Sequence, residues 1–346
     1  MLTEMDAWSA STRYRALQHV PALRERFARV EVSLPGDTVE RRPGRAGQVR
    51  YFGVHAVNYA GRALTVRGLL PRQDALLIQR GLYALGPAAI VDVLRGFSGR
   101  IVFDLDDAVF HLRPALENRG RLARWVYASR QARKLLDRAD AIVVSTPTLA
   151  QLLPRGAPEP TILPTVPDPA AYRPVVHRPQ GTVTVGWTGT VGGLCYLDPL
   201  AAVFERLRTD RVAELQVVSS APWRGPATFR RWRLAEEHDL FGAFSIGIMP
   251  LPDADYTRAK AGFKLLQYMA AGLPIVASPV GVNRELIQRS QAGLLAETPQ
   301  EWSDAITALA TDHQLRARLG ARGRAFVEGY ADLAHQADVL TGLLAP

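Results

Sequence analysis

One cysteine, Cys195, stands in 346 residues. That excludes an intrachain disulfide and any zinc site built from several thiolates, and it suits a reducing compartment. No window holds 18 apolar residues without a charge, so no transmembrane helix is expected. The start carries Glu4 and Asp6 in place of a basic stretch followed by an apolar one, so no signal peptide is expected either. Hydrophobic residues make up 47% and charged residues 22%, which excludes disordered, collagen-like and low-complexity chains. The length allows about two domains, each with its own core. Lysine is nearly missing. Of 42 basic residues only Lys134, Lys260 and Lys264 are lysines. Where arginine does almost all surface work, two lysines four residues apart point to a task for a compact point charge.

The charge is unevenly placed. Residues 1–150 hold 23 Lys and Arg against 14 Asp and Glu, whereas residues 151–346 hold 19 of each. The whole formal charge of +9 therefore lies in the first half, which is expected to meet something anionic: a phosphorylated substrate, an acidic membrane surface or nucleic acid. Nucleic acid is the weakest of these, because the arginines lack interleaved aromatic platforms and no nucleic-acid motif is present.

Short apolar runs alternate with amphipathic stretches, the pattern of an α/β protein with parallel sheets. Strands are expected at 75–78, 100–104, 141–145, 183–186, 215–219, 244–250, 274–277 and 293–295. Helices are expected at about 15–29, 86–96, 119–138, 194–207, 263–271, 283–289, 300–311, 313–329 and 332–344. Residues 154–181 are rich in proline and glycine and read as a hinge between two doubly wound halves. Only residues 1–5 remain for a first strand, which is expected to be very short or cut off by the reading frame.

Three motifs carry chemistry. The strand ending in Asp104, Asp106 and Asp107 superficially looks like a haloacid-dehalogenase nucleophile motif. The later Gly-Asp-x-x-x-Asp that would hold Mg²⁺ is not found, and oxygen-ligand metal sites draw several carboxylates. Acceptor-hydroxyl binding or base chemistry suits these acids better, with loop capping as the plain alternative. Gly186, Trp187, Thr188, Gly189 and Thr190 follow a strand and precede a helix. The spacing is not that of a dinucleotide fingerprint, but small residues there let backbone N–H groups face a phosphate. Finally, Lys260 precedes a helix and Lys264 lies in its first turn, beside Gly262. Lysines at a helix N-terminus oppose the usual preference for acids. Their ammonium groups would hold a diphosphate and stabilise it as it leaves.

The stretch from Lys260 to Gly281 resembles the C-terminal signature of the retaining, nucleotide-sugar-dependent glycosyltransferases of family 4. The likeness extends through Ser11 to Arg15, Leu77 to Arg80, Asp104 to Ala108, Ile162 to Thr165, Val185 to Gly189, Gly247 to Pro250, Glu301-Trp302 and Arg316 to Tyr330. It implies the GT-B fold, an α/β architecture of two Rossmann-like doubly wound domains facing across a cleft. The domains are expected at 1–165 (acceptor) and 166–330 (nucleotide sugar), with a helix at 331–346 packing back toward the first domain.

The resemblance implies these roles. Lys260, Lys264 and the N–H groups around Gly262, Phe263 and Leu265 hold the diphosphate, and the loop Gly186, Trp187, Thr188, Gly189 and Thr190 meets the nucleotide or the pyrophosphate. Gln267 stands where the family's second motif glutamate meets the ribose, and can still hydrogen-bond a hydroxyl. Ala259 stands at the first, so the carboxylate is missing there. Arg13 and Arg15 face the acceptor, with Asp106 or Asp107 near its hydroxyl. No metal and no cofactor is implied beyond the nucleotide-sugar co-substrate. The acceptor is a glycan, a lipid-linked molecule or a small molecule.

Two other readings use the same donor half: a sugar-nucleotide epimerase and a non-catalytic sugar-nucleotide-binding module. The expected location is cytoplasmic, peripheral on the inner membrane face. Residues 119–138 hold seven basic residues against Asp137, which suits weak contact with anionic lipid. A solvated basic helix is the alternative.

Overall fold

The computed structural model describes residues 1–36, 45–110, 129–179 and 182–345. The chain divides into two units, Met1–Thr165 with Leu333–Pro346, and Val166–Asp332. Each is built on a sheet whose strands are parallel throughout.

The first unit holds β1 (Leu2–Thr3), β2 (Ala75–Gln79), β3 (Arg100–Leu105), β4 (Ala141–Val144) and β5 (Pro160–Ile162), side by side in chain order. The first strand is two residues long. It survives because Leu2 pairs with Ile78 on one side and bridges Ser33 on the other. The chain thus runs outward from β1 in both directions, and the winding reverses between β1 and β2. The centres of β2, β3 and β4 are unbroken apolar runs, such as Leu76-Leu77-Ile78, and all are buried. Strands covered on both faces need that composition. The helix Leu333–Leu344 belongs to this unit. Leu340 and Leu344 share a core with Leu77 and Val102, Arg100 Nε donates to Leu343 O at 2.6 Å, and Gln336 Nε2 donates to Pro164 O at 2.9 Å.

The second unit holds β6 (Val183–Thr188), β7 (Ala213–Ser219), β8 (Thr228–Arg231), β9 (Ile246–Met249), β10 (Ile275–Ala277) and β11 (Gly293–Leu295), in the order β11-β10-β9-β6-β7-β8. Trp187 and Trp302, both about 1% exposed, fill its core. The Glu301-Trp302 pair has a local job as well. Thr298 Oγ1 accepts from Glu301 N–H, while Glu301 Oε2 accepts from Thr298 N–H at 3.0 Å, a reciprocal cap that starts the helix Pro299–Thr311.

Several elements differ from the sequence reading. The single helix expected at 15–29 is two helices, Ala10–Arg15 and Val20–Arg26, joined by the tight turn Leu17–His19. Ala16 leaves helical geometry at φ −123°. The helix expected at 194–207 is a 3₁₀ segment, Val191–Leu200, followed by Ala201–Thr209. Pro199 inside the first part removes a donor. The proline-rich stretch contributes β5 to the first unit before the chain crosses over. A 25-residue helix, Arg45–Leu69, was not foreseen. Phe52, Val57 and Leu64 along it are exposed, so its apolar residues do not gather on one face. Of the basic helix expected at 119–138, residues 119–128 lie outside the described residues. Within its remainder, Ser129–Leu136 is helical, and Lys134 Nζ pairs with Asp92 Oδ1 at 2.7 Å. No helix among the described residues is long and apolar enough to cross a membrane.

Candidate active site

In the second unit the strand order reverses between β6 and β9, and open α/β sheets bind ligands outside the carboxyl ends of the strands at such a point. The two strands pair only at Val185 with Ile246 and Gly186 with Gly247. Beyond that, Tyr268 of the helix Phe263–Ala270 separates them. Its hydroxyl lies 3.2 Å from Ile248 O and 3.4 Å from Gly186 O, and accepts from Thr188 N–H at 3.4 Å. Burial drives this phenol well above its usual pKa, so it is a neutral donor. The sequence reading missed Tyr268, which shows there as one more apolar position of a buried helix.

The helix that Tyr268 pins begins at Gly262, whose φ of +65° favours glycine. A Cβ there would come within 2.8 Å of Val282 Cγ2. Lys264, in the first turn, is half-buried and places Nζ 4.4 Å from the centre of the Trp187 ring. Gly189 makes room for it, since a Cβ there would lie 2.8 Å from Nζ. Lys260 Nζ sits 4.7 Å from the Tyr256 ring centre. Among the described residues, no carboxylate lies within 4 Å of either ammonium. Burial, and then the neighbouring charge of Lys260, bring the Lys264 pKa down from 10.5 to about 7. Two ammonium groups held together without an acid, beside the orphan N–H groups of a helix start, form a seat for an anion of two or more charges.

The other residues expected on the donor side divide. Gly189 and Thr190 form the loop after β6, with Gly189 N–H bonded to Val218 O at 3.1 Å and Thr190 exposed. Thr188 is buried and tied to Tyr268. Trp187 is buried and serves as the floor beneath Lys264. Leu265 is corrected as a source of a free N–H, because that group donates to Gly262 O at 2.9 Å. Gln267 is buried, and its Nε2 donates to Tyr172 Oη at 3.0 Å.

In the first unit the ends of β1, β2 and β3 bring acids and arginines together. Arg80 Nε donates to Glu4 Oε2 and its Nη1 to Asp106 Oδ1, both at 3.0 Å, with Asp107 Oδ2 at 3.8 Å. Arg80 holds this position at φ +63°, a conformation that costs a side-chain-bearing residue roughly 1–3 kcal/mol. Burial would raise the Asp106 pKa, but Arg80, Ser11 and Arg15 outweigh it and hold the carboxyl below its usual range. Asp106 is therefore a good acceptor of a hydroxyl hydrogen bond and a poor proton acceptor. Arg13 is half-buried, with Nη1 donating to Ala7 O and Trp8 O at 3.0 and 2.6 Å.

Arg15 is corrected. It is 3% exposed, forks onto both oxygens of the equally buried Asp104, and reaches Leu163 O and Thr165. A side chain so engaged is an internal tie, not a contact for an acceptor. Arg80 was the residue to assign; its signals were its place at the end of a buried strand and the resemblance of Leu77 to Arg80, and neither gave it a role.

The two parallel-sheet units have the GT-B architecture, two Rossmann-like folds in one chain. Residues 190–312 match the family model described as Glycosyl transferases group 1, entirely within the unit that carries the lysine pair. Among solved structures, WaaG, "a glycosyltransferase involved in lipopolysaccharide biosynthesis", is similar at TM-score 0.63 and 15% identity, over 100% of this chain and 98% of that one. Anabaena Alr3699/HepE in complex with UDP-glucose is similar at TM-score 0.62 and 14% identity, over 93% and 88%. TarM is similar at 0.59 and 11%, over 84% of this chain; the chain spans 58% of TarM's length. At such identities the likeness shows the fold. No curated protein matches in sequence.

Proposed function

We propose that the protein is a retaining glycosyltransferase that moves a sugar from a nucleoside diphosphate sugar to a hydroxyl acceptor. The observation that carries this is the lysine pair, two ammonium groups without a carboxylate partner among the described residues, set at a helix start on the topological switch point. In this reading Lys260, Lys264 and the helix N-terminus hold the diphosphate and stabilise the charge that grows on it as the glycosidic bond breaks. The loop Gly189-Thr190 faces the nucleotide. Asp106, kept ionised by Arg80, accepts a hydrogen bond from an acceptor hydroxyl other than the one that attacks, and the leaving phosphate takes the proton of the attacking hydroxyl. The acceptor is a glycan, a lipid-linked molecule or a small molecule met in the cytoplasm, with weak contact to anionic lipid.

UDP is the first donor base to test, because a solved structure of similar fold holds UDP-glucose. A panel of UDP-, GDP- and dTDP-sugars is scored by thermal shift, where a ligand at 100 times its dissociation constant adds about 2.7 kcal/mol. Turnover is then followed with and without acceptor. Failure of every nucleotide sugar to shift the melting temperature overturns the reading.

Two outcomes follow from the lysines. Their charge takes the place a divalent ion would otherwise fill, so transfer is expected to persist in excess EDTA. Loss of activity there, with rescue by Mg²⁺ or Mn²⁺, would return the acids at the end of β3, Asp106 and Asp107, to a metal role.

The second outcome concerns pH. Lys264 without ligand titrates at about 7, and a bound diphosphate favours the ammonium form. Above pH 7, binding must take up a proton, so UDP affinity is expected to fall about tenfold per pH unit until the ordinary lysine range is approached. Calorimetric titration in buffers of different ionisation enthalpy reads that proton directly. An affinity flat from pH 7 to 9 would mean that Lys264 takes up no proton when the diphosphate binds, and would overturn this expectation.

A further inference from the structure

We propose that the second unit carries another oxyanion site, at the opposite end of its sheet from the lysine pair, which takes a small phosphate- or carboxylate-bearing molecule. It is a cavity of about 460 Å³, the size of a metabolite pocket, lined in part by Arg173, His177, Arg178, Thr184, Ser245 and Arg316. Thr184 stands near the start of β6 and Ser245 just before β9, whereas Thr190 follows the other end of β6. Six residues of extended chain separate the two sites by roughly 20 Å.

The observation that points to a ligand is Arg316. It is 1% exposed, yet among the described residues no carboxylate lies within 4 Å of its guanidinium. Three backbone carbonyls solvate it, Leu309 O at 2.6 Å, Ala310 O at 2.9 Å and Arg178 O at 3.0 Å, while its Nε–H has no partner. Asp312, the nearest acid in sequence, supports this charge only from beyond 4 Å, its carboxylate accepting from Leu315 N–H at 2.8 Å and lying 3.9 Å from Arg318. Carbonyl oxygens satisfy donors but do not neutralise a buried charge.

The wall of this cavity is therefore cationic. Two exposed arginines, Arg173 and Arg178, add to it, and no acid lines it among the described residues. His177 donates from Nε2 to Gly272 O, 2.8 Å away; burial and the Arg316 charge outweigh that hydrogen bond and lower its pKa, so its ring contributes polarity without charge. A cavity of this make-up is complementary to an oxyanion, which guanidinium groups bind by paired N–H donors.

The site is also tied to the helix that bears Lys264. Val175 N–H bonds to Ala271 O at 2.9 Å, and Arg324 Nη1 donates both to Tyr172 O at 3.1 Å and to Ala270 O. The segment lining the cavity thus runs along the carboxyl end of the helix Phe263–Ala270.

The test must silence the lysine pair, which would itself bind phosphate. Full-length protein carrying Lys260→Ala and Lys264→Ala is titrated with inorganic phosphate, with citrate and with glycerol at constant ionic strength, by calorimetry and thermal shift. Saturable binding of phosphate or citrate, and none of glycerol, is expected. Whichever of the two binds more tightly identifies the ligand class. Adding Arg173→Ala and Arg178→Ala, both at exposed positions, is expected to weaken that binding at least about tenfold with the circular dichroism spectrum unchanged. Absence of saturable binding by either anion, or unchanged affinity after the arginines are replaced, overturns the site.

Discussion

Replacing Lys264 with alanine is expected to slow sugar transfer about 100- to 1000-fold, the usual effect of removing one group that stabilises a developing negative charge. The same change should leave the melting temperature unchanged within a few degrees. Lys264 is brought to about pKa 7 mainly by burial, so its charged form is disfavoured in the empty protein. A group kept at such a position works against folding and is explained by what it does for a ligand. Its contact with the Trp187 ring recovers only part of that cost. Purified variant and parent are compared in turnover and in thermal melts. Near-parental turnover would remove Lys264 from the chemistry, and a collapse of the melt with turnover per folded molecule intact would make it a packing residue.

Replacing Arg15 with alanine is expected to have the opposite profile, a loss of about 3–5 kcal/mol of stability, because the buried Asp104 carboxylate would lose its counter-charge. Leu163 O and Thr165 Oγ1, which Arg15 also reaches, would lose a donor with it. A double variant, Arg15→Met with Asp104→Leu, removes both charges and should regain much of the loss. Urea unfolding of the parent, the single and the double variants separates the cases. If the single variant kept its unfolding midpoint and lost only acceptor affinity, Arg15 would have to reach the acceptor after all.

These two residues show what could be read beforehand. The parallel α/β architecture was legible because fully covered strands such as Leu76-Leu77-Ile78 and Ile142-Val143-Val144 cannot be mistaken for amphipathic ones. The lysine pair was legible for a chemical reason, since it broke both the chain's preference for arginine and the charge rule for helix starts. Arg13 and Arg15 were not separable. Two positions apart on the short helix Ala10–Arg15, one turns to nearby carbonyls and the other to a buried acid 89 residues away. Spacing alone carries no sign of that partner. Leu265 failed on a detail of helix geometry, because the bond from its N–H to Gly262 O depends on the left-handed turn at Gly262. The helix Arg45–Leu69 escaped because exposed Phe52, Val57 and Leu64 interrupt the polar face that periodicity looks for.

The place of the helix Leu333–Leu344 bears on how the chain is made. The second unit is one uninterrupted stretch, Val166–Asp332, nested inside the first. As the polypeptide leaves the ribosome, everything that unit needs emerges in a single run. The first unit's sheet is synthesised before it, but two of its core leucines, Leu340 and Leu344, arrive only after the whole nested unit has been completed. The half made first is therefore the half finished last. Until then the apolar face around Leu77 and Val102 is covered only in part, by earlier residues such as Val20 and Leu23, an exposure of the kind chaperones bind in nascent chains.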